Sequence, residues 1–130
     1  MNITYDPSRM ESGYVYCLTN ASMPGIVKIG MTMDAPEERA RELSSVTGIP
    51  SPFVVAISKR VAHPRIKEQA LHDLLSSLGF RVNDKREFFS CSLQVVGLLF
   101  NLIDGVDVVI NNPEALPVVR RQNVSVEKLS

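Results

Sequence analysis

Two apolar runs lie close together near the start of the chain: YVYCL at residues 14–18 and IVKIG at residues 26–30. Runs rich in β-branched and aromatic residues, bounded by turn formers, read as strands. Between them, residues 20–25 carry Pro24 immediately before Gly25, which is turn chemistry. So short a link cannot hold the crossover that parallel strands need, so the two runs must pair as an antiparallel hairpin with a longish loop. Everything downstream has to be fitted around that hairpin.

Helix signals follow at once. Asp34 is placed to cap, Pro36 suits a first helical turn, and Glu37 and Glu38 suit the positive end of the dipole. The pattern predicts a helix over about 36–46, stopped by Gly48 and Pro50. Residues 53–57 (FVVAI) predict a third strand, too uniformly apolar to be exposed on both faces. Pro64 opens a second helix running to about 78, closed by Gly79. Its apolar positions Ile66, Ala70, Leu71, Leu74, Leu75 and Leu78 recur at helical spacing and predict a buried stripe. NDKREFFSCSL reads as a charged turn entering a short strand, and QVVGLLFNLID as a last helix with Gly97 as its point of interruption. The expected fold class is α/β (α+β): a small three-stranded antiparallel sheet flanked by helices. The expected division is a loose leader over 1–12, one domain over 13–104 and a tail over 105–130.

With 130 residues, 45% of them hydrophobic, the chain suits one modest core. Fourteen basic residues balance fourteen acidic ones, so any site for a polyanion has to arise from local clustering. Cys17 and Cys91 each sit in an apolar run, which favours two buried thiols over a disulfide or a zinc site. The first residues are polar and lack an apolar signal-peptide core, and no apolar run approaches the ~18 residues of a membrane span. A soluble, cytoplasmic protein with no membrane partner is expected.

The segments GYVYCLTN, MPGIVKIGMT, PEERARELSS, TGIPSPF and REFF, in that order, resemble the GIY-YIG endonuclease superfamily. More closely, they resemble its branch named after an open reading frame of bacteriophage T5. The likeness runs from about Gly13 to Val96. It implies a small α/β domain and a phage-related, metal-dependent phosphodiesterase that cuts DNA with Mg2+ or Mn2+. It also implies roles, position by position. Tyr16 stands at the first motif's tyrosine, and Lys28 stands where the second motif has its own. Arg39 stands at the helix arginine, and Glu68 at the metal-binding glutamate. Two departures are visible. Tyr14 occupies the place of the leading glycine, with Gly13 one residue earlier, and a lysine replaces the second tyrosine, as is usual in this branch.

These residue types suit the chemistry. A carboxylate with several waters suits magnesium, and Glu68 lies one helical turn before His72. Arg39 can grip phosphate oxygens through two parallel donors, and Lys28 can supply a point charge. Tyr16 is the candidate general base, with His72 as a second candidate of more convenient intrinsic pKa. Glu87, within REFF, is the alternative metal ligand.

Each residue also has an ordinary reading. Tyr16 could be strand packing, Lys28 a solvated strand face, Arg39 a helix surface, Glu68 a partner for Arg65, and His72 a half-buried helix residue. Nucleic-acid contacts are expected from Lys28, Arg41, Lys59, Arg60, Lys85 and Arg86, reinforced by Arg65, Lys67 and Arg81. The expected partner is DNA, with RNA as an alternative substrate class. A catalytically inactive module that binds nucleic acid or protein is the competing function. The apolar tail residues Val108, Val109, Ile110, Leu116, Val118 and Val119 offer a route to a homodimer.

Overall fold

The structure is a computed structural model that describes residues 11–46, 48–82, 87–110, 112 and 115. The elements in chain order are β1 (Ser12–Asn20), β2 (Ile26–Thr32), α1 (Pro36–Ser44), β3 (Phe53–Ala62), α2 (Pro64–Ser77), β4 (Phe88–Ser90), α3 (Leu93–Asn101) and β5 (Val106–Val109). They form an α+β fold: an open antiparallel sheet in the order β4-β2-β1-β3-β5, with three helices.

The expected hairpin is present, with Tyr16 directly opposite Gly30 and Leu18 opposite Lys28. The sheet, however, has five strands rather than three. The three longer strands form its middle, and β4 and β5 add a short strand at each edge. Strands of three and four residues are too brief to show alternation. They become strands through pairing, β4 with Ile26–Lys28 and β5 with Ser58–Arg60. Hence β5, which sequence assigned to a tail beginning at 105, belongs to the sheet.

Helix α1 begins with Pro36 in its first turn, as expected, but Asp34 is not its cap. Ala35 occupies that position without a capping side chain, and the Asp34 amide donates instead to Thr32 Oγ1 at 3.1 Å. Helix α2 starts from His63, which adopts left-handed backbone (φ 53°) before Pro64. Its buried stripe is narrower than the sequence implies: Leu71, His72 and Leu75 are buried, whereas Ile66, Ala70, Leu74 and Leu78 are exposed. Helix α3 passes through Gly97 without a break and is capped by Ser92 Oγ, which accepts from the Val95 amide at 3.1 Å.

The sheet separates two apolar layers. On one face Tyr16, Leu18, Phe53 and Val55 pack with Ala40 of α1. On the other, Val15, Cys17, Val27 and Ile29 pack with Leu71 and Leu75 of α2 and with Val96 and Phe100 of α3. β1 is therefore buried on both sides. Cys17 and Cys91 are buried free thiols, as expected. Burial raises both, Cys91 to about 11, so neither is a ready nucleophile. Among the described residues, no helix is long and apolar enough to cross a membrane.

Gly30 is where the hairpin and the site depend on each other. A Cβ there would lie 2.5–2.9 Å from Oη, Cζ and Cε1 of Tyr16, so the tyrosine ring lies across the space a side chain would fill. Gly30→Ala should therefore cost about 1–3 kcal/mol through overpacking and push the ring aside, measured by denaturant unfolding and by tyrosine NMR shifts. Leu75→Ala should cost about 2–5 kcal/mol, because Leu75 is fully buried, whereas Leu78→Ala should stay within about 0.5 kcal/mol. Equal costs for the two leucines would contradict the packing described.

Candidate functional site

Five separate elements bring polar groups to one place. β1 contributes Tyr16 and β2 contributes Lys28, on the same face of the hairpin because their opposite numbers, Gly30 and Leu18, are two residues from them. Arg39 comes from α1, Glu68 and His72 from α2, and Glu87 from the turn before β4.

Tyr16 is 1% exposed, and Arg39 lies beside its hydroxyl. Burial pushes the phenol above its ordinary pKa, with Arg39 opposing; the charges of Glu87 and Glu68 push it further up. Arg39 is itself half-exposed and bonds Glu42 at 3.1 Å, one helical turn on. Its guanidinium thus bridges the helix surface and the buried phenol.

Lys28 is buried, and its ammonium makes an ion pair with Glu87 Oε1. It also lies 5.4 Å from the centre of the Phe88 ring, a cation–π distance. Glu87 is fixed by its backbone as well as its side chain, since its carbonyl accepts from the Ile29 amide at 3.0 Å.

Glu68 is half-buried, and burial is the main reason its carboxyl pKa is raised. His72, Lys28 and Arg65 pull it back down, whereas Glu87 adds to the rise. Glu68 therefore lies within electrostatic reach of both members of the Lys28–Glu87 pair. Among the described residues no set of three His, Cys, Asp or Glu side chains is arranged to hold a metal. One or two carboxylates open to water suit a hydrated Mg2+ or Mn2+, which keeps most of its waters, better than a closed cage would.

His72 is committed elsewhere. Its Nε2 lies 2.8 Å from the Ile29 carbonyl, which can only accept, so Nε2 carries the hydrogen. The ring stacks obliquely on Phe89 at 5.3 Å. The Ile29 amide and carbonyl project from the same side of β2, where β4 has already ended, and His72 completes that exposed edge. Only Nδ1 remains for proton transfer.

The expected nucleic-acid contacts divide. Arg60 is exposed and lies over the Tyr14 ring at 5.8 Å, which gives Tyr14 a packing role on the same face as Tyr16. Arg41 is exposed but donates to both oxygens of Glu38 at 2.9 and 3.0 Å, and on α1 it points away from Arg39. Lys59 is a correction. It is buried, donates to the Phe100 carbonyl at 2.8 Å and faces Asp107 at 3.7 Å, so its charge ties β3 to α3 and β5 instead of facing a ligand. Lys28 likewise faces the site and not an outer surface. Lys67 is half-buried and caps the Ala62 carbonyl at 2.6 Å. Lys85 and Arg86 lie outside the described residues, as do Leu116, Val118 and Val119.

Sequence reasoning missed Gly30 as the bed of the Tyr16 ring, Phe88 as the face under Lys28 and Glu42 as the anchor of Arg39. Of these only Glu42 had a local signal, its i,i+3 spacing from Arg39. The other two depend on strand register.

Comparison with known proteins agrees with the order of segments. Residues 13–104 match the T5orf172 domain, while no curated protein and no solved structure matches the chain. The chain belongs to the T5orf172 domain family, a phage-related family compatible with nuclease or DNA-binding roles.

Proposed function

We propose that the protein is a divalent-metal-dependent endonuclease that hydrolyses phosphodiester bonds in DNA, as the GIY-YIG enzymes it resembles do. The observation that carries this reading is the convergence of Tyr16, Arg39, Lys28, Glu68 and Glu87 from five elements onto one region. A fold needs no such gathering of opposed charges around a buried phenol. Phosphodiester hydrolysis does, because negative charge builds on the phosphate while a proton must leave the attacking water.

Glu68, or alternatively Glu87, would hold Mg2+ or Mn2+. The bound ion supplies Lewis-acid stabilisation of the phosphate and the leaving oxygen. Arg39 is placed to exchange its Glu42 contact for non-bridging phosphate oxygens, and its fork suits two of them at once. Lys28 neutralises charge on the same group. Tyr16 holds the proton acceptor's position. As a buried phenol it is neutral at ordinary pH, and it accepts a proton only as the ionised fraction, which rises tenfold per pH unit below its pKa. Arg60 extends the cationic face outward along the DNA backbone.

Incubating labelled linear and branched DNA with the protein, with and without Mg2+ or Mn2+, tests the reading. Metal-dependent cleavage is expected. Salt-sensitive binding with no cleavage under any metal would favour the inactive binding module.

Arg39→Ala and Glu68→Gln should each reduce turnover by about a hundredfold or more, since groups aimed at developing charge carry several kcal/mol. Stability separates catalysis from folding. A carboxyl whose pKa is raised in the fold destabilises the folded state above its ordinary titration range, where it must be charged. Glu68→Gln should therefore melt at the same or a higher temperature than the wild type at neutral pH, even while it fails to cut. A marked fall in Tm would mean that Glu68 is structural.

The pH profile tests Tyr16. With the phenol as base, log rate should climb with pH through neutrality at a slope approaching one and keep climbing into the alkaline range. Tyr16→Phe should remove that slope while leaving the fold intact. An unchanged profile would assign the proton to His72 Nδ1 or to solvent.

A further inference from the structure

We propose that Lys28 is a resident counter-ion standing where a divalent cation would bring its charge, so that the site takes up cation and phosphodiester together. This rests on the nuclease reading above and concerns how its site is loaded. Lys28 is only 6% exposed, and a buried ammonium persists only with partners close by. Those partners are present: the Glu87 carboxylate, the Phe88 ring face, and Glu68 near enough to feel its charge.

The charges of the site already have partners. Lys28 pairs with Glu87, Arg39 with Glu42, and Glu68 has Lys28 and Arg65 within electrostatic reach. A dication entering this set alone meets an ammonium that cannot withdraw far. The Lys28 stem is held in the middle of β2, between Leu18 of β1 and Phe88 of β4 in the ladder. Repulsion between the two cations therefore weakens metal binding in the protein alone. An entering phosphodiester changes the balance, because its negative charge gives Lys28 a second partner and lets Glu87 turn toward the cation. Each ligand then favours the other, and the coupling is reciprocal.

A purely structural ion pair, clipping β2 to the turn before β4, makes a different prediction. Removing it would change stability and leave metal affinity alone.

The test is Mn2+ affinity of the full chain, read by electron paramagnetic resonance of the free ion. It is measured without DNA and with a short duplex, after subtracting Mn2+ bound by the duplex alone. A duplex with a non-hydrolysable phosphorothioate-substituted backbone, checked for integrity after each titration, keeps turnover out of the measurement. DNA should tighten Mn2+ binding by about tenfold, within the usual range of coupling. Lys28→Met should tighten binding in the absence of DNA by a similar factor and remove most of the DNA dependence. Lys28→Gln provides a second neutral variant should the methionine disturb folding. Lys28→Arg, which keeps the charge, should behave as the parent does. Unchanged or weaker Mn2+ binding in both neutral variants, with Glu68→Gln still abolishing it, would overturn the counter-ion role and leave the metal site standing. Mn2+ binding indifferent to both Glu68→Gln and Glu87→Gln would remove the metal site itself, and this proposal with it.

Discussion

The contact between the Tyr16 ring and the backbone of Gly30 sets the geometry on which the rest of the site depends. The two residues are cross-strand neighbours, and the glycine's missing side chain lets an aromatic ring lie flat against the sheet. That posture buries the ring yet aims its hydroxyl at Arg39 on α1. A one-residue slip in the hairpin would turn Tyr16 to the opposite face, among the aliphatic residues under α2. The register of an otherwise ordinary hairpin is thus what brings the phenol and the guanidinium together.

A second constraint is that the polar groups approach from both faces of the sheet. α1 lies on the Tyr16 side and α2 on the Ile29 side. They meet where β4 has run out and β2 keeps only β1 beside it. His72 closes the bare Ile29 carbonyl there. Glu68, one turn earlier on the same helix, stays within electrostatic reach of Lys28, Glu87 and Tyr16. A longer β4 would have separated the two helices' contributions. The short edge strand is a condition for the site.

Much of this was legible from residues alone. The hairpin, the third strand and all three helices follow from apolar spacing and from Pro36, Pro64 and Gly79, and the motif resemblance singled out Tyr16, Lys28, Arg39 and Glu68. What sequence could not supply was long-range pairing. β5 has no pattern of its own and exists because β3 offers it an edge. Lys59 reads as a surface cation until β3 places it beneath α3, where the Phe100 carbonyl receives it. The α2 stripe came out too wide because helical spacing marks every apolar residue near one side, whereas the sheet covers only the arc occupied by Leu71 and Leu75. The Lys28–Glu87 pair spans most of the domain in sequence, and only the β2–β4 ladder brings it together.

The sheet and the family domain do not end at the same place. The match closes at residue 104, while the outer strand spans Val106–Val109 and carries Asp107 beside Lys59. A chain cut at the family boundary would strip β3 of its outer neighbour, baring the amides and carbonyls around Ser58–Arg60 and leaving Lys59 with only a backbone acceptor. Such a naked border invites strands from other molecules. The short segment after the shared domain thus works as a hem: it moves the sheet's border outward, from a strand of ten residues to one of four.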